Sequence, residues 1–155
     1  MEHGYNLYSH GKGFMYLCGI IDWYSRYLLS WTLSNTLSTD FCVEALREAI
    51  QSYGKPEIVN TDQGSQFTSD IFTEEVLSAA IQLSMDGKGR ATDNVMIERF
   101  WRSIKYEKIY INAYENTTDL FLAIVEYVQF YNFERKHQSF KYRTPAMLYG
   151  AKKNY

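Results

Sequence analysis

The stretch Thr92–Tyr106, TDNVMIERFWRSIKY, contains no proline or glycine, and Thr92, Asp93 or Asn94 can supply the oxygen that caps a helix start. Ile97, Trp101 and Ile104 fall at i, i+4 and i+7, which predicts a buried stripe. Asn94, Glu98, Arg102 and Lys105 form the neighbouring stripe, so Glu98 is a carboxylate set among donors and cations on a face that is not wholly buried. That pattern fits two readings, a solvated face with i, i+4 ion pairs or a working carboxylate.

Working outward, the upstream stretch KPEIVNTDQGSQFTS predicts a short strand from Glu57 to Val59 that runs through Asn60 and Thr61 into Asp62. Gly64 and its polar neighbours turn the chain there. Asp62 is thus expected at the carboxyl end of a strand, where open α/β sheets place their chemistry, or in a simple Asx-turn. Thirty-five residues separate it from Glu98. Earlier still, FMYLCGII (Phe14–Ile21) reads as a strand buried on both faces, DWYSR as a turn and YLLSWTL (Tyr27–Leu33) as the second arm of a hairpin. Asp22 is expected to bond the turn backbone, with Arg26 as a candidate partner.

A helix follows from Ser38, Thr39 or Asp40 to about Tyr53, ended by Gly54. Beyond Asp62 come a helix from about Ser69 to Ala79 capped by Ser69 or Asp70, and a short strand, IQLS. A last helix is expected from Thr117 to Tyr131, with Leu120, Ile124, Val128 and Tyr131 on one side. A hairpin followed by alternating strands and helices predicts an α/β mixed sheet flanked by helices.

Composition narrows the class. A chain of 155 residues with 46% hydrophobic and 17% aromatic content and 2 prolines is globular and large enough for one core. Cys18 lies in an apolar strand and Cys42 in a helix, which suggests reduced, buried thiols and a cytoplasmic protein. No apolar run approaches the roughly 18 residues of a membrane helix, and MEHGYNLYSH lacks the order of a signal peptide. The net charge of −2 hides an asymmetry: residues 1–84 carry 4 Lys or Arg against 10 Asp or Glu, residues 85–155 carry 12 against 8. An acidic half suits a divalent cation and a basic half suits phosphates.

The glycine-containing segment SMDGKGRATDN, with Lys88 and Arg90, reads either as a surface loop or as a DNA-contacting one. From Asn132 onward, Arg135, Lys136, His137, Lys141 and Arg143 alternate with Phe133, Phe140, Tyr142 and Tyr149. Cations interleaved with rings suit sugar-phosphate contact and stacking, or simply a solvated surface.

Taken together, NTDQGSQFTS, SMDGKGRATDN, ERFWRSIKYE and YNFERKHQSFKYRTPAMLY occur in an order that resembles the catalytic core of retroviral integrases and related insertion-sequence transposases, a family with an Asp, Asp, Glu triad. The resemblance implies a ribonuclease-H-like fold, with an integrase-like core over residues 1–131 and a basic, aromatic tail motif over 132–155. It assigns Asp62 and Glu98 as the second and third acids, ligands of Mg²⁺ or Mn²⁺, and makes Lys105 similar to the family's lysine that approaches the DNA end. Lys88, Arg90, Asn94, Arg102, Arg135, His137, Lys141 and Arg143 complete the expected DNA-binding set. Lys136, Phe140 and Met147 stand where proline, leucine and an acidic residue are more usual.

The first acid is where the chain departs from the family. Counting nine residues back from Gly13 arrives at Gly4, and no Asp or Glu stands from His3 to Ile21. The expectation is therefore a truncated transposase with impaired strand transfer, in which enzymatic competence is open. Its partners would be transposon ends and target DNA, itself or a full-length transposase, and the bacterial nucleoid rather than a membrane. The alternative is a non-catalytic DNA-binding or oligomerising remnant.

Overall fold

The computed structural model describes residues 1–10, 13–85 and 95–152. Among these residues five strands form one sheet in the order β3-β2-β1-β4-β5, with β1 Glu2–His10, β2 Gly13–Ile21, β3 Leu28–Ser34, β4 Ile58–Thr61 and β5 Gln82–Met85. The β1, β2 and β3 strands are antiparallel neighbours, while β1–β4 and β4–β5 are parallel pairs. This is the mixed sheet that the pattern predicts.

Period-two alternation along β2 sends its side chains to two separate cores. Met15, Leu17 and Ile21 pack with Ile97, Phe100, Trp101 and Ile104 of α3 (Val95–Ile104) and with α4 (Thr117–Phe133). Cys18 and Ile20 face the other way, onto α1 (Asp40–Tyr53) and α2 (Asp70–Ser78). Both cysteines are buried thiols outside any disulfide, and desolvation pushes the Cys18 thiol well above its ordinary value. Ser69 caps α2 through Phe72 N–H and Asn116 caps α4 through Asp119 N–H. Thr39 precedes α1 but makes no side-chain cap; its backbone carbonyl accepts from Cys42 and Val43 instead.

Asp22 has the structural role expected of it. Its Oδ2 accepts from Ser25 N–H at 2.9 Å and Ser25 Oγ–H at 2.7 Å, closing the hairpin turn. Arg26, at φ 59°, turns its guanidinium over the Phe140 ring, 4.4 Å from the centroid. The segment after α4 is folded onto the body. His137 and Thr144 are buried, α5 (Pro145–Lys152) buries Leu148, and Tyr149 stacks on Tyr27 at 5.0 Å.

One departure from the sequence reading bears on the site. The Glu98 helix does not run on in α-geometry through Tyr106 but passes at Lys105–Ile109 into a π-helical turn. The wider turn sets Glu107 against α4. There it accepts from Tyr127 Oη–H at 2.7 Å and from Arg135 Nη2–H at 2.6 Å. These bonds hold the Glu107 carboxylate below its usual range against the opposing effect of burial.

Candidate functional site

Asp62 leaves the carboxyl end of β4 immediately after Thr61. Its Oδ1 accepts from Gly64 N–H at 2.7 Å, so the carboxylate is held by the turn it begins. An added Cβ at Gly64 would lie 2.8 Å from that same oxygen, which explains the residue. The Asx-turn and the functional reading are compatible, because the turn fixes one oxygen and leaves the other.

Glu98 is on the exposed side of α3, in its first turn. Its pKa is raised, first by desolvation of the carboxylate, then by the negative charge of Asp62, with Lys105 acting in the opposite direction. The two acids separated in sequence by 35 residues are thus within electrostatic reach, and Lys105 is beside them. Carboxylates of like charge on two converging elements are the donor type that a hard divalent cation takes. Gln66 is absent from the sequence candidates, yet it is buried, its Oε1 has no hydrogen-bond partner, and that atom lies 3.5 Å from the added Cβ at Gly64. Its sequence signal is no more than its place in the turn after Asp62.

Among the described residues, no group of three or more His, Cys, Asp or Glu side chains is arranged to hold a metal. Glu2 and His3 pair with Asn60 and Thr61, and that parallel register, carried one residue past the end of β4, sets Gly4 opposite Asp62. Gly4 is also the antiparallel partner of Gly19. Trp101 lies on this glycine pair: an added Cβ at Gly19 would meet its ring at 3.0 Å, and one at Gly4 would meet Ile97 Cγ2 at 3.1 Å and Trp101 Nε1 at 3.4 Å. That indole N–H is buried without a partner. The strand position opposite Asp62 therefore exists, faces the Glu98 helix, and carries no side chain.

The expected DNA-binding residues divide. Arg102 is exposed on α3, one turn beyond Glu98. Arg135 is ion-paired to Glu107, and His137 is buried, held neutral with its pKa lowered to about 4 by desolvation and by Arg135 and Arg26. Lys141 and Arg143 are exposed on the tail turn, where Lys141 takes φ 53°. Lys88, Arg90 and Asn94 lie outside the described residues.

Two models described as integrase core domain match the sequence, over residues 5–91 and 79–145. The chain belongs to the integrase core domain family. Similar proteins include the transposase for insertion sequence element IS904 of Lactococcus lactis, 31% identical over 137 residues, which cover 86% of this chain and 54% of that protein. The transposase for IS629 of Shigella sonnei is 29% identical over 139 residues, covering 89% and 47%. The chain spans about half the length of the curated relatives it matches.

Among solved structures, the simian T-cell lymphotropic virus intasome in complex with the PP2A regulatory subunit B56 gamma matches with TM-score 0.81 at 19% identity, over 96% of this chain and 52% of that one. The HTLV-2 integrase catalytic core domain in complex with magnesium, in its dimeric form, matches with TM-score 0.75 at 22% identity, over 96% and 93%. The fold is ribonuclease-H-like. No helix among the described residues is long and apolar enough to cross a membrane.

Proposed function

We propose that this chain is the core of an insertion-sequence transposase that binds DNA through its phosphates and holds one divalent cation, Mg²⁺ or Mn²⁺, between Asp62 and Glu98. The observation that carries the reading is the electrostatic effect of Asp62, at the end of β4, on Glu98, at the start of α3. A bound divalent ion supplies Lewis-acid polarisation of a phosphoryl oxygen. Asp62 and Glu98 would hold it, and Lys105 would neutralise an approaching phosphate. Lys88, Arg90, Asn94, Arg102, Arg135, His137, Lys141 and Arg143 are assigned to the DNA, with residues 132–155 as a tail motif on the 1–131 core. The partners proposed are transposon ends and target DNA, with self-association or association with a full-length transposase.

Transposition involves in-line displacement at phosphorus, for which two ions clamp the attacking and leaving oxygens. Gly4 provides no ligand for the second ion, and this supports a core whose strand transfer is impaired. The same observation favours the second reading, a DNA-binding remnant without catalysis. Calorimetric titration with Mg²⁺ tests the metal site: one bound ion, lost in Glu98→Gln, is expected, and no binding would sink it. Replacing Arg102 and Lys105 by Ala is expected to reduce the log-log salt slope of duplex binding by about one unit for each phosphate no longer neutralised. An unchanged slope would remove this face from the footprint.

A further inference from the structure

A second feature of α3 is not accounted for by the carboxylate pair. On the flank beside Glu98, a cleft of about 230 Å³ is lined by Arg26, Arg99, Arg102, Arg135, Tyr131 and His137. Four arginines line it from three places: the hairpin turn after β2, successive turns of α3, and the segment after α4. Among the described residues no carboxylate lines the cleft. Arg135 is neutralised from behind by Glu107, whereas Arg26, Arg99 and Arg102 form no ion pair among the described residues.

Three arginines without an ion pair among the described residues make the lining of one cleft electropositive, which favours an anion there. The pKa of Arg26 is lowered, first by desolvation and then, against the opposite effect of Tyr131, by the charges of Arg99 and Arg135. The polar atoms point the same way independently. Arg26 Nε–H is buried without a partner, and so is Nε2 of His137, a residue only 8% exposed. Buried polar atoms without a protein partner at one cavity call for an explanation, and an entering anion supplies one. The donor set is also specific in kind, since planar guanidinium forks match phosphate and carboxylate oxygens in pairs.

We propose that this cleft is a phosphate-binding site, built by Arg26, Arg99 and Arg102 with His137 at its base, and that the phosphate it takes is a backbone phosphodiester of DNA lying along α3. Arg102 is four residues from Glu98, about 6 Å along the helix axis. A strand with one phosphate at the carboxylate pair therefore has its neighbours at the mouth of the cleft. The assignment of DNA as the source rests on the function proposed above; the anion site does not. The rings position these groups: Phe140 supports the Arg26 guanidinium at 4.4 Å, and Tyr131 and Phe140 hold the neutral His137 imidazole at centroid distances of 5.4 and 5.6 Å.

The test uses the whole chain and two probes, inorganic phosphate and a blunt DNA duplex. Phosphate titration at constant ionic strength against chloride, followed through the arginine Nε–H and His137 ring NMR signals, should move the Arg26, Arg99 and His137 resonances saturably. Arg99→Gln, on the helix surface and harmless to packing, should weaken phosphate binding about ten-fold or more, and Arg26→Gln should do the same. Lys55→Gln, an equal charge change outside the cleft, should leave it unaltered. With the duplex, Arg99→Gln should lower the log-log salt slope by about one unit. Absence of saturable phosphate shifts, or equal weakening in Lys55→Gln, overturns the site. Saturable phosphate binding with an unchanged duplex slope overturns DNA as its source and leaves a free phosphate group as the ligand. If the unmodified chain binds no duplex at all, the DNA-binding function fails, and the phosphate titration still decides the cleft.

Discussion

Gly4→Asp puts a carboxylate at the β1 position set opposite Asp62, and its consequences can be worked from the structure. The added Cβ meets Ile97 Cγ2 at 3.1 Å and Cγ1 at 3.3 Å, so the Ile97 side chain must yield by a few tenths of an ångström. Overpacking of this kind costs about 1–3 kcal/mol. Against it, Trp101 Nε1 is 3.4 Å from the same Cβ and lacks an acceptor. Supplying one recovers a comparable amount, about 1–3 kcal/mol, so packing and hydrogen bonding nearly cancel.

What remains is charge. Neighbouring strands lie about 4.8 Å apart, so a carboxylate in register with Asp62 at about 5 Å and an effective dielectric of about 20 repels it by about 3 kcal/mol as a ceiling. For a domain of this length that is a fall of roughly 6–12 °C in Tm without metal. The same carboxylate attracts a dication, so Mg²⁺ should reverse the fall and raise Tm more in Gly4→Asp than in the unmodified chain. The assays are thermal unfolding with and without Mg²⁺, and metal-dependent nicking and joining of a blunt duplex into supercoiled plasmid. Joining is expected to rise from baseline in Gly4→Asp. Equal joining by both proteins, or an equal Mg²⁺ shift in Tm, would refute the assignment of Gly4 as the position of the missing ligand.

Other expectations follow from individual groups. Glu98 has a raised pKa in the fold, so its stability contribution is least unfavourable below the unfolded carboxylate pKa and worsens as pH rises through the folded value; Glu98→Gln should stabilise the metal-free protein at pH 7 and make no difference near pH 3, as read by urea midpoints. His137 has the opposite sense. Held neutral by desolvation and by Arg135 and Arg26 against the smaller pull of Glu107, with a pKa of about 4, it should cost up to about 2 kcal/mol as pH falls from 7.5 to 5; His137→Gln should flatten that slope in chloride buffer. Asn132 bridges α4 to β3, accepting from Leu28 N–H at 2.9 Å and donating to Leu28 O at 3.0 Å. Asn132→Ala leaves two buried backbone groups unpaired and should destabilise by about 2–5 kcal/mol in equilibrium unfolding.

Much of the fold is local enough to be legible in the sequence. The β2–β3 hairpin follows from two apolar runs around DWYSR, and the α3 stripe from Ile97, Trp101 and Ile104, all three buried. Phe100 falls outside that stripe yet is fully buried, because α3 is wedged between the sheet and α4 and hides a wider arc than an i, i+4, i+7 pattern marks. The π-helical turn at Lys105–Ile109 carries no composition signal; its stability comes from Glu107 reaching Tyr127 and Arg135, bonds made only when α4 is in place.

The candidate site is legible to a similar degree. Asp62 and Glu98 stand out by position in their elements, while Gly4 is reached only through the resemblance, which places the family's first acid about nine residues before Gly13. Arg26 could not be read in this way. It invites pairing with Asp22 four residues earlier, but Asp22 is occupied by Ser25, and the guanidinium lies on Phe140, 114 residues away, facing Arg99 and Arg135. Long-range convergence of like charges leaves no periodicity in the chain.

The central claim is that Asp62 and Glu98 share a divalent cation, and crystals grown with Mn²⁺ test it most directly, through the anomalous signal of the ion. One Mn²⁺ is expected, with oxygens of both carboxylates at about 2.0–2.6 Å and no second ion on the β1 side. Carboxylates more than about 8 Å apart, or an anomalous peak away from both, would contradict that claim, since one ion cannot then bind both residues.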